Sequence, residues 1–139
     1  MRTKIFTIPQ QQLTTLLTQF PINSSSNIGK FAVEIAKLYF KSLNEDTELT
    51  VNKNGVDLST RINDIDTNYE IKGTAKANIS MNNLKVSSQN CYNLLVDGME
   101  LIRITNIGST SMTLYFLKHD EDFVLVPEPR WSAQSINSL

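Results

Sequence analysis

The sequence predicts an α+β domain with a mixed sheet, and three observations support this class. Two segments in the first third of the chain carry apolar residues at helical spacing. Short runs in which apolar and polar residues alternate follow them, separated by turn residues such as Asn54-Gly55. A further short helical segment, ending at Val96, interrupts the runs. We therefore expect a central sheet with flanking helices.

The first helix is predicted from Gln10 to Phe20, between two prolines, because its leucines recur at helical spacing. The second runs from about Ile28 to Leu43 after a Ser/Asn-rich loop that supplies its N-cap. Its charged positions form one narrow stripe: Lys30, Glu34, Lys37 and Lys41. The rest of its surface is more apolar than one packed face requires, so it is expected to pack on the sheet and also on the first helix or another subunit.

Strands are predicted wherever alternation is clear. Thr47–Lys53, Val56–Ile62 and Tyr69–Thr74 form an antiparallel meander, and the Asn-Gly turn gives its first hairpin. A helix capped by Ser87 or Ser88 follows the meander. The remaining predicted strands are Met99–Ile107, Thr110–Lys118 and Phe123–Val126.

The length of 139 residues fits one domain, which we divide into an N-terminal helix and loop (1–27), a core (28–126) and a tail (127–139). A single cysteine, Cys91, and a single histidine, His119, exclude an intramolecular disulfide and a thiolate metal cluster. The sequence shows neither a membrane-spanning apolar stretch nor a signal peptide, so we expect a soluble, cytoplasmic protein.

An acidic and a basic side chain are expected to converge with a second acid on one face of the meander. Glu70 and Lys72 project together from one strand, whereas Tyr69 and Ile71 point into the core. On the strand before it, alternation places Asp57 on the polar face. If the two strands pair, two carboxylates and an ammonium group meet.

These residue types suit phosphodiester hydrolysis, in which a divalent cation stabilises charge on phosphate oxygens and lowers the pKa of the attacking water. Oxygen ligands favour Mg²⁺, with Mn²⁺ as a substitute, and Mg²⁺ needs only one or two protein carboxylates. Asp57, Glu70 and the backbone carbonyl of Ile71 are the predicted ligands. Lys72 would act as the base, orient the water, or offset phosphate charge.

Gly55-Val56-Asp57-Leu58 and Tyr69-Glu70-Ile71-Lys72-Gly73-Thr74 resemble the two core motifs of the PD-(D/E)XK nuclease superfamily, to which many restriction endonucleases belong. Val56 stands where the name-giving proline would be. The order helix, Asp strand, Glu-x-Lys strand, helix also resembles that superfamily over residues 28–118. The resemblance implies an α/β/α restriction endonuclease-like fold.

The resemblance also implies secondary candidates. Glu34 would be an acid offered by the helix before the Asp strand, and Gln89 would stand at the start of the helix that follows Glu-x-Lys. Candidate DNA contacts lie on the segment between the Glu-x-Lys strand and that second helix: Lys76, Asn78, Asn82 and Lys85. The alternatives are that Glu34 pairs with neighbouring lysines on its own helix, that Gln89 is solvated, and that the segment is an ordinary surface loop.

The sequence therefore predicts a Mg²⁺-dependent DNA endonuclease, most like a small type II restriction enzyme. Cutting both strands of a duplex needs two active sites, so a homodimer is expected. A net charge of −1 argues against holding DNA by bulk electrostatics and requires local phosphate contacts. The alternatives are a chance acid-x-Lys triplet forming a solvated pair, and a non-catalytic nuclease-fold subunit that binds or assembles within a defence or repair complex.

Overall fold

Six strands form one mixed sheet in the computed structural model, which describes residues 1–129 and 131–136. The strands are β1 (Arg2–Thr7), β2 (Glu48–Lys53), β3 (Val56–Ile62), β4 (Ile65–Gly73), β5 (Glu100–Thr105) and β6 (Ser111–Leu117). Their order across the sheet is β1-β6-β5-β4-β3-β2. β4 and β5 are parallel, and the other neighbouring pairs are antiparallel. The predicted α+β class with a mixed sheet is confirmed.

Three α-helices accompany the sheet in the described part of the chain: α1 (Gln10–Gln19), α2 (Ser25–Leu43) and α3 (Gln89–Val96). Two of them begin at serine caps, as the sequence indicates. The Ser24 hydroxyl accepts the Asn27 N–H at 3.1 Å, and the Ser88 hydroxyl accepts the Cys91 N–H at 3.0 Å. α3 lies in the connection from β4 to β5, which allows those strands to be parallel.

The two faces of the sheet carry separate apolar cores. α2 packs Phe31 and Ile35 against one face, together with residues of β3, β4, β5 and β6. α3 packs Cys91 and Leu95 against the opposite face, where Leu101 is buried. Because side chains alternate along each strand, every polar residue next to an α2-facing position points to the α3 side.

Most of the apolar surface of α2 is used within the chain. α1 contributes Leu13 and Leu16 to the same core as α2, and Ile28, Val33 and Leu38 of α2 are partly buried against that core, whereas Leu43 at the end of the helix is exposed. α1 and α2 thus belong to one core on the same face of the sheet. A partner subunit remains a proposal.

An N-terminal strand is missing from the sequence prediction, which assigns residues 1–27 to a helix and a loop. β1 pairs with β6 along its whole length, with Ile5 opposite Thr113. It is an edge strand whose residues are mostly exposed, so it lacks the strong apolar alternation that marks a strand.

The predicted strand Phe123–Val126 is wrong: Phe123 makes only an isolated bridge with His119. β6 already has β5 and β1 as neighbours and leaves no free edge for it.

β4 begins at Ile65, four residues before the predicted start at Tyr69. The turn that precedes it places Asn63 and Asp64 at φ values of 52° and 62°. Two consecutive residues in the left-handed region make a tight hairpin turn, and Asn and Asp tolerate that conformation better than most residues.

In the described residues no helix has the length and apolar character needed to cross a membrane.

Candidate active site

The β3–β4 register brings Asp57 and Glu70 together. Leu58 lies opposite Tyr69 and Ser59 opposite Asn68, so continuing the register by one residue places Asp57 opposite Glu70. Leu58 and Tyr69 belong to the core beneath α2. Their neighbours Asp57 and Glu70 therefore share the α3 side of the sheet, and the Asp57 carboxyl lies within hydrogen-bonding reach of Glu70.

The pairing of the two strands ends just before Asp57 and Glu70. The paired register ends at Leu58 and Tyr69, and the next available donor on β4, the Ile71 N–H, donates to Asp57 Oδ2 at 2.9 Å. The Thr74 N–H donates to Ile104 on β5, and backbone polar groups alternate sides along a strand. The N–H and carbonyl of Ile71 therefore both point toward β3, so its carbonyl lies on the same side as Asp57.

Glu70 is enclosed by three other functional groups. Its side chain is 8% exposed, and Oε2 accepts the Cys91 thiol at 2.9 Å and lies 3.7 Å from Lys72 Nζ. The pKa of Glu70 is raised from its usual 4.5 to about 7, chiefly because the carboxyl is buried and secondly because of the hydrogen bond with Asp57, while Cys91 and Lys72 act in the opposite direction. Near neutral pH this carboxyl is therefore poised between its protonated and ionised forms.

Cys91 serves as a hydrogen-bond donor that closes the site beneath α3. Burial, followed by the Glu70 carboxylate beside it, raises the pKa of the Cys91 thiol to about 12. The thiol therefore stays protonated at physiological pH and is no nucleophile.

The oxygen atoms present fit Mg²⁺ better than a transition metal. The Asp57 carboxyl raises the affinity of Glu70 for a proton, a cation between the two would relieve that repulsion, and the Ile71 carbonyl points to the same side. Among the described residues no group of three or more His, Cys, Asp or Glu side chains is arranged to hold a metal ion. Mg²⁺ keeps several waters and needs only one or two protein carboxylates, which is the number that Asp57 and Glu70 would supply.

Arg103 is a buried charged neighbour that the sequence did not single out. It lies beside Lys72 in the parallel β4–β5 register. Its guanidinium donates to the carbonyls of Gly73, Ile79 and Ser80 at 3.2, 2.8 and 3.3 Å, and burial lowers its pKa. It fixes the segment that leaves β4. The signal in the sequence was a lone charge within the apolar strand that begins at Glu100.

The two secondary candidates do not join this cluster. Glu34 lies on α2, on the other side of the sheet, where it pairs with Lys37 at 3.1 Å. This is the pairing that the alternative interpretation expects. Gln89 is exposed on α3 and donates to Asn93 at 2.9 Å, one turn further along the helix.

The candidate DNA contacts lie on the segment between β4 and α3. The Lys76 carbonyl accepts the Asn106 N–H at 2.9 Å, and Asn78 accepts the Ser80 hydroxyl. Asn82 is exposed in a short 3-10 turn, Met81–Asn83. Lys85 pairs with Glu128 of the tail. None of these contacts reaches the candidate site, whereas Asp57 and Lys72 both contact Glu70.

The chain matches no protein-family model, no curated protein and no solved structure. Assignment of a function therefore depends on the geometry of the site itself.

Proposed function

We propose that this protein is a Mg²⁺-dependent endonuclease that hydrolyses DNA phosphodiester bonds, most like a small type II restriction enzyme. The observation that carries the proposal is that the Asp57 carboxyl, just beyond the paired β3–β4 register, hydrogen-bonds with Glu70, with Lys72 Nζ 3.7 Å from Glu70. Buried acids are rarely placed side by side without a partner cation or a shared proton. Structural maintenance of the sheet does not require this combination.

The order of elements around the site supports the same proposal. A helix, α2, precedes the strand that carries Asp57, a second strand carries Glu70 and Lys72, and α3 follows. Helices lie on both faces of the sheet. This is the arrangement that the resemblance to the PD-(D/E)XK superfamily implies, and we propose that the chain adopts that fold.

Each residue of the site has a chemical role in this proposal. Asp57, Glu70 and the Ile71 carbonyl would hold Mg²⁺, or Mn²⁺ in its place. When bound, the ion would stabilise charge on the phosphate and lower the pKa of a water molecule. Lys72, whose side chain is 31% exposed, can reach solvent beside Glu70 and orient the attacking water or receive its proton. The exposed segment after β4 would contact the DNA backbone.

The test is cleavage of plasmid DNA in Mg²⁺ by the wild-type protein and by Glu70→Ala and Lys72→Ala. We expect each substitution to lower the rate by at least about a hundredfold. Glu45→Ala and Lys30→Ala are matched controls, because they remove the same charges from exposed positions outside the site. Cutting that survives both site substitutions would show that the site has been assigned to the wrong residues.

A second candidate is a non-catalytic binding or assembly subunit that keeps this fold. It is favoured by one observation: both carboxyls already have protein partners, since Asp57 accepts the Ile71 N–H and Glu70 accepts the Cys91 thiol. In this case Mg²⁺ would not change the melting temperature of the protein. Duplex, branched and single-stranded DNA would all remain uncut.

A further inference from the structure

A polar groove continues the sheet face that carries Asp57 and Glu70. Its volume is about 420 Å³, within the range of ligand clefts, and β2, β3 and β4 line it. Two cross-strand rows form its floor: Thr50, Ser59 and Asn68 in one, and Glu48, Arg61 and Asp66 in the other. These residues alternate with the α2-facing positions of their strands, so they share the side of Asp57.

The groove begins beside the first turn of α3, at the boundary of the sheet area that this helix covers. Asn90, in the first turn of α3, approaches the carbonyl of Asn54 in the β2–β3 hairpin at 3.4 Å. α3 buries Glu70 and Leu101 beneath it, but the rows on β2 and β3 remain open to solvent as a concave surface. A ligand extending from the Asp57–Glu70 pair in this direction would therefore lie in the groove.

We infer that this groove binds the sugar–phosphate backbone of the nucleic acid on one side of the scissile phosphate, with Arg61 as its phosphate contact. The choice of nucleic acid as ligand rests on the proposed nuclease function. Arginine presents a planar fork of donors that matches a phosphate, and the Ser59 hydroxyl and Asn68 amide are the kind of groups that contact phosphate and sugar oxygens. No aromatic residue lines the groove, so base stacking does not drive this binding.

The position of Arg61 shows which phosphate it would reach. It lies four residues beyond Asp57 on the same strand, which is about 13 Å along the sheet. The phosphate it binds is therefore not the scissile one. Contacts at that distance set the register of the substrate on the protein and do not take part in the chemistry.

Arg61 is available for such a contact. It now pairs with Asp66 at 3.3 Å and Asp64 at 3.5 Å, and all three side chains are substantially exposed. Exposed pairs of this kind contribute little to stability, so a phosphate can replace the carboxylates without unfolding the hairpin. The charges of Glu48 and Asp66 offset those of Lys53 and Arg61, so binding here depends on placed hydrogen bonds more than on bulk charge.

The test is fluorescence anisotropy with a labelled DNA duplex and a labelled single strand, in Ca²⁺ so that binding is measured without cutting. We expect Arg61→Gln to weaken binding of the preferred DNA about tenfold and to lower the slope of log affinity against log salt by about one. Lys4→Gln, which removes a charge from the exposed edge strand β1, should change affinity less than about twofold.

A second matched pair tests the groove without removing a cation. Thr50 and Thr3 are both exposed on edge strands, β2 in the groove and β1 at the other edge of the sheet. Thr50→Glu should weaken DNA binding at least tenfold by repelling phosphate, and Thr3→Glu should not. Thermal melting of all four variants checks that each is folded.

The outcomes separate this inference from the nuclease proposal. Equal affinities within both matched pairs, or no binding to either DNA, would overturn the groove as the binding site. If the wild-type protein cuts DNA and Arg61→Gln binds DNA with normal affinity, only the groove is rejected as the binding site. If the protein binds DNA through the groove but never cuts it, only the nuclease proposal is rejected.

Discussion

Glu70 makes the stability of the protein depend on pH. Its pKa is about 7 in the folded chain and near 4.5 when exposed, so the folded state holds the proton more tightly than the unfolded state. The contribution of Glu70 to the free energy of unfolding is therefore greatest below pH 4.5. It falls as the pH rises toward 7 and is constant above that. The full decline is about 3 kcal/mol, by the ordinary conversion of pKa shift to free energy.

Replacing Glu70 with glutamine should remove this decline. Urea unfolding at pH 5 and pH 8 should show the wild type losing stability over that interval, while Glu70→Gln loses much less and is the more stable protein at pH 8. Glu45→Gln is the control, because Glu45 is exposed in a turn. A wild-type free energy of unfolding that does not fall between these pH values would show that Glu70 is ionised without penalty.

The Cys91 thiol holds the pKa of Glu70 down by donating to its carboxylate. Cys91→Ala removes the donor, so the pKa of Glu70 should rise further above 7, whereas Cys91→Ser keeps a donor and should change it less. Carbon-13 NMR of the glutamate carboxyl groups during a pH titration measures both. An unchanged Glu70 titration in Cys91→Ala would mean that the thiol does not donate to the carboxylate.

At the scale of elements, α2 crosses the end of β4 at very short range. A Cβ atom on Gly73 would lie 2.7 Å from the Ala32 Cβ and 3.2 Å from the Ile28 carbonyl, so only glycine fits there. This contact fixes the strand immediately after Lys72. The helix therefore positions the strand that carries Glu70 and Lys72 from the face opposite the candidate site.

Gly73→Ala should force α2 and β4 apart and lower the free energy of unfolding by about 1–3 kcal/mol, the usual cost of overpacking. Gly29→Ala is the matched control, because Gly29 lies in α2 and an added Cβ meets nothing within 4 Å. This substitution should stabilise the protein by about 0.5–1 kcal/mol. Chemical denaturation measures both changes. Equal effects would show that the close approach carries no strain.

The elements that the sequence predicted well are those with one buried face. β3 was predicted with its observed bounds because Leu58 and its neighbours alternate strongly in burial. The edge strand β1 carries no such pattern, since pairing with β6 and not side-chain burial places it in the sheet. The segment after Phe123 has the composition of a strand but no partner, and pairing is a property that only the whole sheet decides.

The same distinction applies to the candidate site. Alternation alone predicted that Asp57 and Glu70 would share a face, since each strand buries its other side. The contacts of Glu70 with Cys91 and of Arg103 with the segment after Gly73 were not predictable in this way, because they join parts of the chain 21 or more residues apart.

At the scale of the whole molecule, the described part of the chain holds one candidate site, so we expect the proposed enzyme to dimerise in order to cut both strands of a duplex together. We expect the ratio of linear to nicked plasmid to rise with protein concentration, and sedimentation velocity to show a dimer in the same concentration range. The uncut plasmid incubated with Glu70→Ala is the control. A ratio independent of concentration, with a monomer throughout, would indicate an enzyme that cuts one strand at a time.

β3 and β4 are no longer paired beyond Leu58 and Tyr69, so pairing between these two strands does not fix the distance between Asp57 and Glu70. The strand pairing that fixes the rest of the hairpin stops before it reaches them, and Asp57 bridges the gap through a single bond from its side chain to Ile71. If the two acids bind an ion, their separation would be able to change without breaking the β3–β4 register that begins at Leu58 and Tyr69, although β5 still pairs with β4 at Glu70. A site built in this way should accept Mg²⁺ and the larger Mn²⁺ with similar ease, whereas a pair held rigidly by strand pairing would discriminate between them.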